Sequence, residues 1–339
     1  MAKLEHRLSL EGTDLLIRPA REKDIPELAR LYSATFPIDA KGPEVFGHRY
    51  REVRPGFTAE YALLELAGSP VGAVYFEHPP WDLQPERFAY LMVMLPGPEM
   101  SLARYRAALR HLEARAAERG ALMMTTQIVE DRADLARLLL ELGWERERLD
   151  KAWQLDLVVH REELLAAAER TRAAMRQQGI ALRTVAADVS ADPGAMARLH
   201  ALHERAVWDM PRTEPAIPKP FDEWMRRWDQ PDLFADRFWL AKDGDRTVAA
   251  SHLRFPPSLT PVWTGFTATE REYRGRGIAR AVKMETLVQA IELGIPFVRT
   301  DNDESNAPML HINETLGYER IPGWLEFKKA VGDAAAGGA

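Results

Sequence analysis

Apolar positions along this chain follow two rhythms, and the second half replays the order set by the first. Ile278, Ala281, Val282, Met284, Leu287, Val288 and Ile291 recur at helical spacing and predict a helix that stops at Gly294. Phe297-Val298-Arg299-Thr300 then predicts a strand, and a short helix closes with Leu316, Gly317 and Tyr318. In the first half a helix stops at Gly120, residues 122–126 form the strand pattern, and a short helix closes with Leu142, Gly143 and Trp144. The interval from Gly120 to Gly294 equals that from Gly143 to Gly317, so the stretch is repeated without a gap.

The starts of the halves correspond at a different offset. Residues 16–19 lead into a helix through Asp24, Ile25, Leu28 and Leu31, and residues 182–185 into one through Met196, Leu199 and Leu202. Each half has a Pro-containing loop, around Pro37 and over 210–220, followed by a hairpin. The hairpins pair 61–66 with 71–76 around Gly68-Ser69-Pro70, and 238–241 with 247–253 around Asp243-Gly244. Residues 160–178, rich in Ala, Glu and Arg, predict a linking helix ended by Gly179. The expected organisation is a domain over 1–158, a linking helix over 159–179, a second domain over 180–330, and a disordered tail over 331–339.

Composition narrows the function. The 339 residues suit two domains. With no cysteine, thiolate metal sites, disulfides and Cys nucleophiles are excluded. The net charge of −6 argues against a general nucleic-acid partner. No apolar run approaches a membrane span, and residues 1–6 lack a signal-peptide core, so a cytoplasmic location is expected.

The chemistry concentrates where a strand over 263–269 runs through Glu270-Arg271-Glu272-Tyr273 into Arg274-Gly275-Arg276-Gly277-Ile278-Ala279. The loop ends at a helix N-terminus, where unpaired N–H groups and the dipole favour an anion, and glycines let a phosphate approach the backbone. Arg274 and Arg276 add donors for a pyrophosphate. The loop lacks the third glycine of a dinucleotide fingerprint and the lysine of a P-loop. A tight turn with solvated arginines is the alternative reading of these residues. Downstream, Asn306 is placed to cap a helix with Pro308 in its first turn.

Residues 263–329 resemble the acyl-CoA-binding core of the GNAT superfamily of N-acyltransferases. That family's Arg/Gln-x-x-Gly-x-Gly/Ala signature is met by Arg274 through Ala279, and its Asn followed by Gly and an aromatic by Asn306, Gly317 and Tyr318. The tandem arrangement resembles mycothiol-synthase-like proteins. The resemblance implies two tandem GNAT-type α/β (α+β) domains, each a mixed, mostly antiparallel sheet flanked by helices. It implies acetyl-CoA, or another acyl-CoA, with its pantetheine arm along Thr267, Ala268 and Thr269. The pyrophosphate would lie on the N–H groups of Arg274, Gly275, Arg276, Gly277, Ile278 and Ala279, with Asn306 and Asn302 facing the pantetheine or thioester side and Met309 a further cofactor contact.

The first half lacks this loop. Its counterpart is Met100-Ser101-Leu102-Ala103-Arg104-Tyr105, Arg132 stands for Asn306, and Pro96, Pro98 and Glu99 precede it. A degenerate first domain that shapes the acceptor pocket or stabilises the pair is expected.

In the family resembled, an amine attacks the thioester directly, and a carboxylate takes a proton from it. Asp301, Asp303, Glu304 and Glu270 are the candidates for that base, and a backbone N–H near Ala268 or Thr269 for polarising the carbonyl. Asn313 occupies the position of the family's acidic tyrosine, so the thiolate leaves without an acid, or with help from His311 or water. His200 and His203 lie at helical spacing without a convincing third metal ligand. Trp208, Asp209 and Glu214 are candidates for an acceptor lid that recognises a cation. The expected partner is a small-molecule amine, and the acidic balance favours a cationic one such as an aminoglycoside or polyamine. The competing readings are a non-catalytic acyl-CoA sensor and a peptide or protein acetyltransferase.

Overall fold

The structure, a computed structural model, describes residues 8–257 and 261–332; the remainder of the expected tail, 333–339, lies outside the described residues. The first half runs β1 (Leu8–Ser9), β2 (Leu16–Pro19), α1 (Ile25–Thr35), α2 (Pro43–Arg51), β3 (Thr58–Leu66), β4 (Ser69–His78), β5 (Phe88–Met94), α3 (Leu102–Glu118), β6 (Met123–Val129), α4 (Ala133–Glu141) and β7 (Glu145–Asp156). The second runs α5 (Arg161–Gln177), β8 (Ile180–Thr184), α6 (Val185–Ala191), α7 (Ala195–Asp209), α8 (Phe221–Met225), β9 (Phe238–Asp243), β10 (Arg246–Arg254), β11 (Val262–Thr269), α9 (Ile278–Glu292), β12 (Phe297–Asp303), α10 (Ala307–Thr315) and β13 (Glu319–Ala330).

The interval seen in the glycines carries β6 onto β12, α4 onto α10 and β7 onto β13, at both ends of each element. One start departs from it. α3 begins at the counterpart of Arg276, whereas α9 begins only at Ile278, because the two glycines hold the chain out of the helix.

Two compact units form, and they cut across the boundaries expected from sequence. One holds the described residues up to Asp150, together with 213–217 and 322–332; the other holds 151–212 and 218–321. The first sheet has the order β1-β2-β3-β4-β5-β6-β13, and the second the order β7-β12-β11-β10-β9-β8. Each sheet is thus finished by the last strand of the other half. Strand alternation explains why the exchange holds: Leu325 and Phe327 enter the first core, while Trp153, Leu155 and Leu157 enter the second. The β5–β6 and β11–β12 ladders are parallel, whereas β1–β2, β2–β3, β3–β4, β4–β5, β6–β13, β8–β9, β9–β10 and β10–β11 are antiparallel.

In the second unit α5 and α9 cover one sheet face and α7 and α8 the other. Met175, Ala281 and Val282 pack on Ala241 and Val248, and Leu199, Leu202 and Trp224 pack on Phe238, Leu240 and Ala250. The helix expected as a linker is α5, and it belongs to this core through Leu164, Ala168 and Met175.

β10 and β11 lose register once. His252 faces Phe266 and Leu253 faces Thr264, so Gly265 is the extra residue of a bulge. The imidazole of His252 fills the space beside it, and a Cβ on Gly265 would stand 2.4 Å from His252 Nε2. That ring is fully buried and stacks on Phe238 with centroids 4.3 Å apart, so it cannot yield cheaply. Gly265→Ala is expected to destabilise the protein by roughly 1–3 kcal/mol. A urea midpoint equal to that of the native protein would contradict this account of the bulge.

Candidate functional site

β11 and β12 part company early. They pair in parallel at Val262/Val298 and Trp263/Arg299, while both strands continue, to Thr269 and Asp303. Beyond Trp263 the β11 edge toward β12 has no strand ladder among the described residues, although its other edge stays paired to β10 through Thr269/Ala249. Backbone N–H and C=O groups left on such an edge need polar partners. The bulge at Gly265 lies on this splayed stretch and leaves a further peptide group outside the β10 ladder. This irregularity is upstream of Ala268 and Thr269, where the polarising N–H was expected from sequence.

The loop after β11 closes as an anion cradle. Gly275 and Gly277 take φ of +76° and +77°, the left-handed region that favours glycine. Gly277 is the N-cap of α9, and no side chain caps that helix, so its first-turn N–H groups face outward. Ile278 is buried and anchors the turn, while Arg274, Gly275, Arg276 and Gly277 are exposed.

The arginines of the loop are already engaged. Asp209, at the end of α7, binds both Arg271 and Arg274, and these guanidiniums hold its carboxyl at about 2. Arg274 also donates to the carbonyl of Thr269 at 3.3 Å, and Arg276 donates to Gln178 at 3.1 Å with its guanidinium 4.9 Å from the Tyr273 ring. An open cleft of about 720 Å³ runs beside them, lined by Arg205, Trp208, Asp209, Arg246, Thr269 and Glu270 among others. Trp208 stands at its edge, 60% exposed.

The carboxylate candidates separate into different settings. Glu270 is buried and accepts from Arg205 Nε at 3.1 and 3.2 Å, so its charge is held in an ion pair. Asp303 is buried and accepts from the Ser305 N–H at 2.8 Å and from its hydroxyl, which makes it the cap of the turn before α10. Asp301 is exposed on β12 beyond the ladder, and Glu304 is exposed in the following turn. Asn306 caps α10, its Oδ1 accepting from Met309 N at 3.4 Å, and Met309 is half-buried. Thr267 shares a hydroxyl hydrogen bond with Ser251 at 2.9 Å.

Asn313, in the place of the family's tyrosine, is fully buried. Its Oδ1 accepts from Lys283 Nζ at 2.8 Å, and its Nδ2 donates to Asn302 Oδ1 at 2.8 Å. His311 points out on the exposed face of α10, away from this pair. Lys283 is the site residue that sequence reasoning missed. It is fully buried on α9, and burial lowers its pKa to about 7, opposed by Asp301. The one visible signal was a lysine amid the apolar run Ala281, Val282, Met284.

The two histidines of α7 are packing groups. His200 lies beside Phe221 and Trp224, and His203 against Trp224 and Phe266. Burial together with Arg227 lowers the pKa of His203 to about 3, and no group that could hold a metal is found among the described residues. Trp224 is core, and Glu214 lies in the first unit, accepting from Thr125 Oγ1 at 2.6 Å. Of the residues expected to form a lid, Asp209 binds the loop arginines and Glu214 accepts from a strand of the first unit.

Residues 199–318 match the model of the Acetyltransferase (GNAT) family. This stretch is a GNAT-family domain. The match runs from within α7 to Tyr318, just past α10, and so includes β11, β12 and the glycine loop. The whole chain shares the fold of a tandem GNAT protein from the clavulanic acid biosynthesis pathway, at 17% identity and a TM-score of 0.69, covering 94% of this chain and 99% of that one. A GCN5-related N-acetyltransferase from Sphaerobacter thermophilus is similar at 17% identity and a TM-score of 0.66, covering 95% and 97%. A glucosamine N-acetyltransferase region of a fungal multi-domain beta-N-acetylglucosaminidase is similar at 14% identity and a TM-score of 0.65, covering 93% of this chain and 38% of that one. No curated protein sequence matches. No described helix is long and apolar enough to cross a membrane.

The corresponding place in the first unit is built differently. β5 and β6 stay paired over four positions, from Phe88/Met123 to Leu91/Thr126. Ser101 caps α3, its hydroxyl accepting from Arg104 N at 3.2 Å, so the helix start supplies its own acceptor. Arg104 is bound to Asp14 and Glu99, and Arg132 turns to Asp134 and to Met100 Sδ at 3.6 Å.

The ion pairs of Asp209 compete with any phosphate for Arg271 and Arg274. Asp209→Asn is expected to tighten acetyl-CoA binding about three-fold or more at low salt, with a smaller gain at high salt. Calorimetry at two salt concentrations reads this, and a weaker affinity in the variant would show that Asp209 orients the arginines instead of occupying them.

Proposed function

We propose that the second unit binds acetyl-CoA, or a closely related acyl-CoA, and transfers the acyl group directly to the amine of a small molecule. The observation that carries this reading is a succession of polar backbone: the part of β11 past its ladder with β12 is followed in the chain by an uncapped helix start behind two left-handed glycines. The amides of a pantetheine arm match the open edge of Thr267 and Ala268, and a pyrophosphate matches the loop from Arg274 to Ala279. When bound, the acyl-CoA would supply an activated thioester.

The chain's own groups then have these tasks. The bulge at Gly265 offers a backbone donor for a developing oxyanion. Asp301, exposed on the part of β12 that runs past the β11 ladder, is our choice for the base that deprotonates the amine through water. The first unit is assigned no cofactor, because its helix start is capped by Ser101 and has no counterpart of the two loop glycines.

A non-catalytic acyl-CoA sensor is the second reading, favoured by Asn313 where the family resembled has a proton-donating tyrosine. Thiol release from acetyl-CoA across a panel of polyamines, amino sugars, aminoglycosides and peptides separates the two. Amine-dependent thiol release is expected. Binding of acetyl-CoA without turnover on any amine would favour the sensor, and turnover confined to peptides would move the acceptor class.

A further inference from the structure

α9, α10 and β12 bring three polar side chains into one line. Lys283 Nζ donates to Asn313 Oδ1 and Asn313 Nδ2 donates to Asn302 Oδ1, each at 2.8 Å. Lys283 and Asn313 are fully buried, and Asn302 is half-buried on β12, past the last β11–β12 pair.

Packing alone would favour apolar residues at 283 and 313, because burying an ammonium group is costly. No salt bridge to Lys283 is found among the described residues. Asp301 on β12 is the charged group acting on it; Tyr318 presents its ring, 4.9 Å from Nζ. On α5, Arg172 is bound to Glu285 and Glu169. α10 presents the neutral Asn313.

What the ammonium does supply is direction. An amide can flip, but –NH₃⁺ can only donate. It therefore holds Asn313 with Oδ1 toward itself, which leaves Nδ2 for Asn302. Asn302 must then present Oδ1 to Asn313, and its two N–H donors remain for another acceptor. A neutral lysine could donate or accept, and both amides would lose their fixed sense.

We propose that Lys283 is a positioning residue for acyl transfer: through Asn313 it fixes the side-chain amide of Asn302 as a donor on the strand that bounds the splayed cleft. This rests on the acyl-CoA reading of that cleft. A fixed N–H donor can stabilise a thioester or its departing thiolate without giving up a proton, which fits the replacement of a tyrosine by Asn313.

The test follows the side-chain amide signals of Asn302 and Asn313 by NMR from pH 5.5 to 9, alongside acetyl-CoA binding by calorimetry. In the native protein both amides should shift with one midpoint, that of the Lys283 side chain itself. Acetyl-CoA should weaken about five-fold or more between pH 6 and 8.5, relative to Lys283→Met and Asn313→Leu, which bind at the weaker level throughout. Comparison with the variants removes the titration of the cofactor's own phosphates. Amide signals that ignore the Lys283 titration overturn the proposal, and this reading needs no variant to fold. Identical acetyl-CoA affinities in native protein and both variants across the range overturn it alone. Absence of acetyl-CoA binding to the native protein at every pH overturns the cofactor reading and this proposal together.

Discussion

Gly277→Val is expected to weaken acetyl-CoA binding by about 100-fold while leaving the protein folded. Gly277 has a φ of +77°, and a β-branched residue there is strained by roughly 1–2 kcal/mol. Space does not oppose the substitution, since a Cβ on Gly277 would meet nothing within 4 Å. Relief comes by returning residue 277 to negative φ, which re-aims the first-turn N–H groups of α9 and removes the cradle. Two or more charge-assisted hydrogen bonds to phosphate are then lost, and at about 1.5 kcal/mol each they account for the expected drop. Calorimetry with acetyl-CoA reads the effect, and a single cooperative urea transition, with the variant fully folded in buffer, separates it from unfolding. Near-native affinity in Gly277→Val would mean that the backbone of this loop does not hold the pyrophosphate.

The second large effect concerns stability and its pH dependence. Burial lowers the pKa of Lys283 from 10.5 to about 7, so the unfolded chain binds its proton more tightly than the folded one. The penalty is complete below about pH 7, shrinks as pH rises, and vanishes only near 10.5. Lys283→Met removes it. The variant also strands Asn313 Oδ1, at a pH-independent cost of about 1–3 kcal/mol. The decisive quantity is therefore the change with pH: the advantage of Lys283→Met over the native protein should fall by about 3 kcal/mol between pH 6 and pH 9. Denaturant unfolding at both values measures it. A difference that does not vary with pH would show that Lys283 keeps an ordinary pKa and that its line to Asn302 carries no titrating charge.

The repeat and the cofactor loop were legible because they are local. Gly275 and Gly277 mark a left-handed loop in the sequence itself, and the shared interval of Gly120/Gly294 and Gly143/Gly317 extends in space to β6/β12, α4/α10 and β7/β13. Strand exchange was not legible. Nothing in the sequence around Leu325 and Phe327 says that they complete the strands of the first unit. The charged pairs were equally hidden, since Asp209 with Arg271 and Arg274, and Arg205 with Glu270, join residues more than fifty positions apart on a helix and a loop. Asn313 could be read only as a missing tyrosine until Lys283 and Asn302 were placed on either side of it.

The central claim is that one acyl-CoA binds per chain, at the splayed strands and glycine loop of the second unit. Titration of the full-length protein with acetyl-CoA by calorimetry tests it directly, run beside Gly277→Val. The account predicts a stoichiometry of one in the native protein and loss of that site in the variant. Two equivalent sites, or a single site untouched by Gly277→Val, would contradict it.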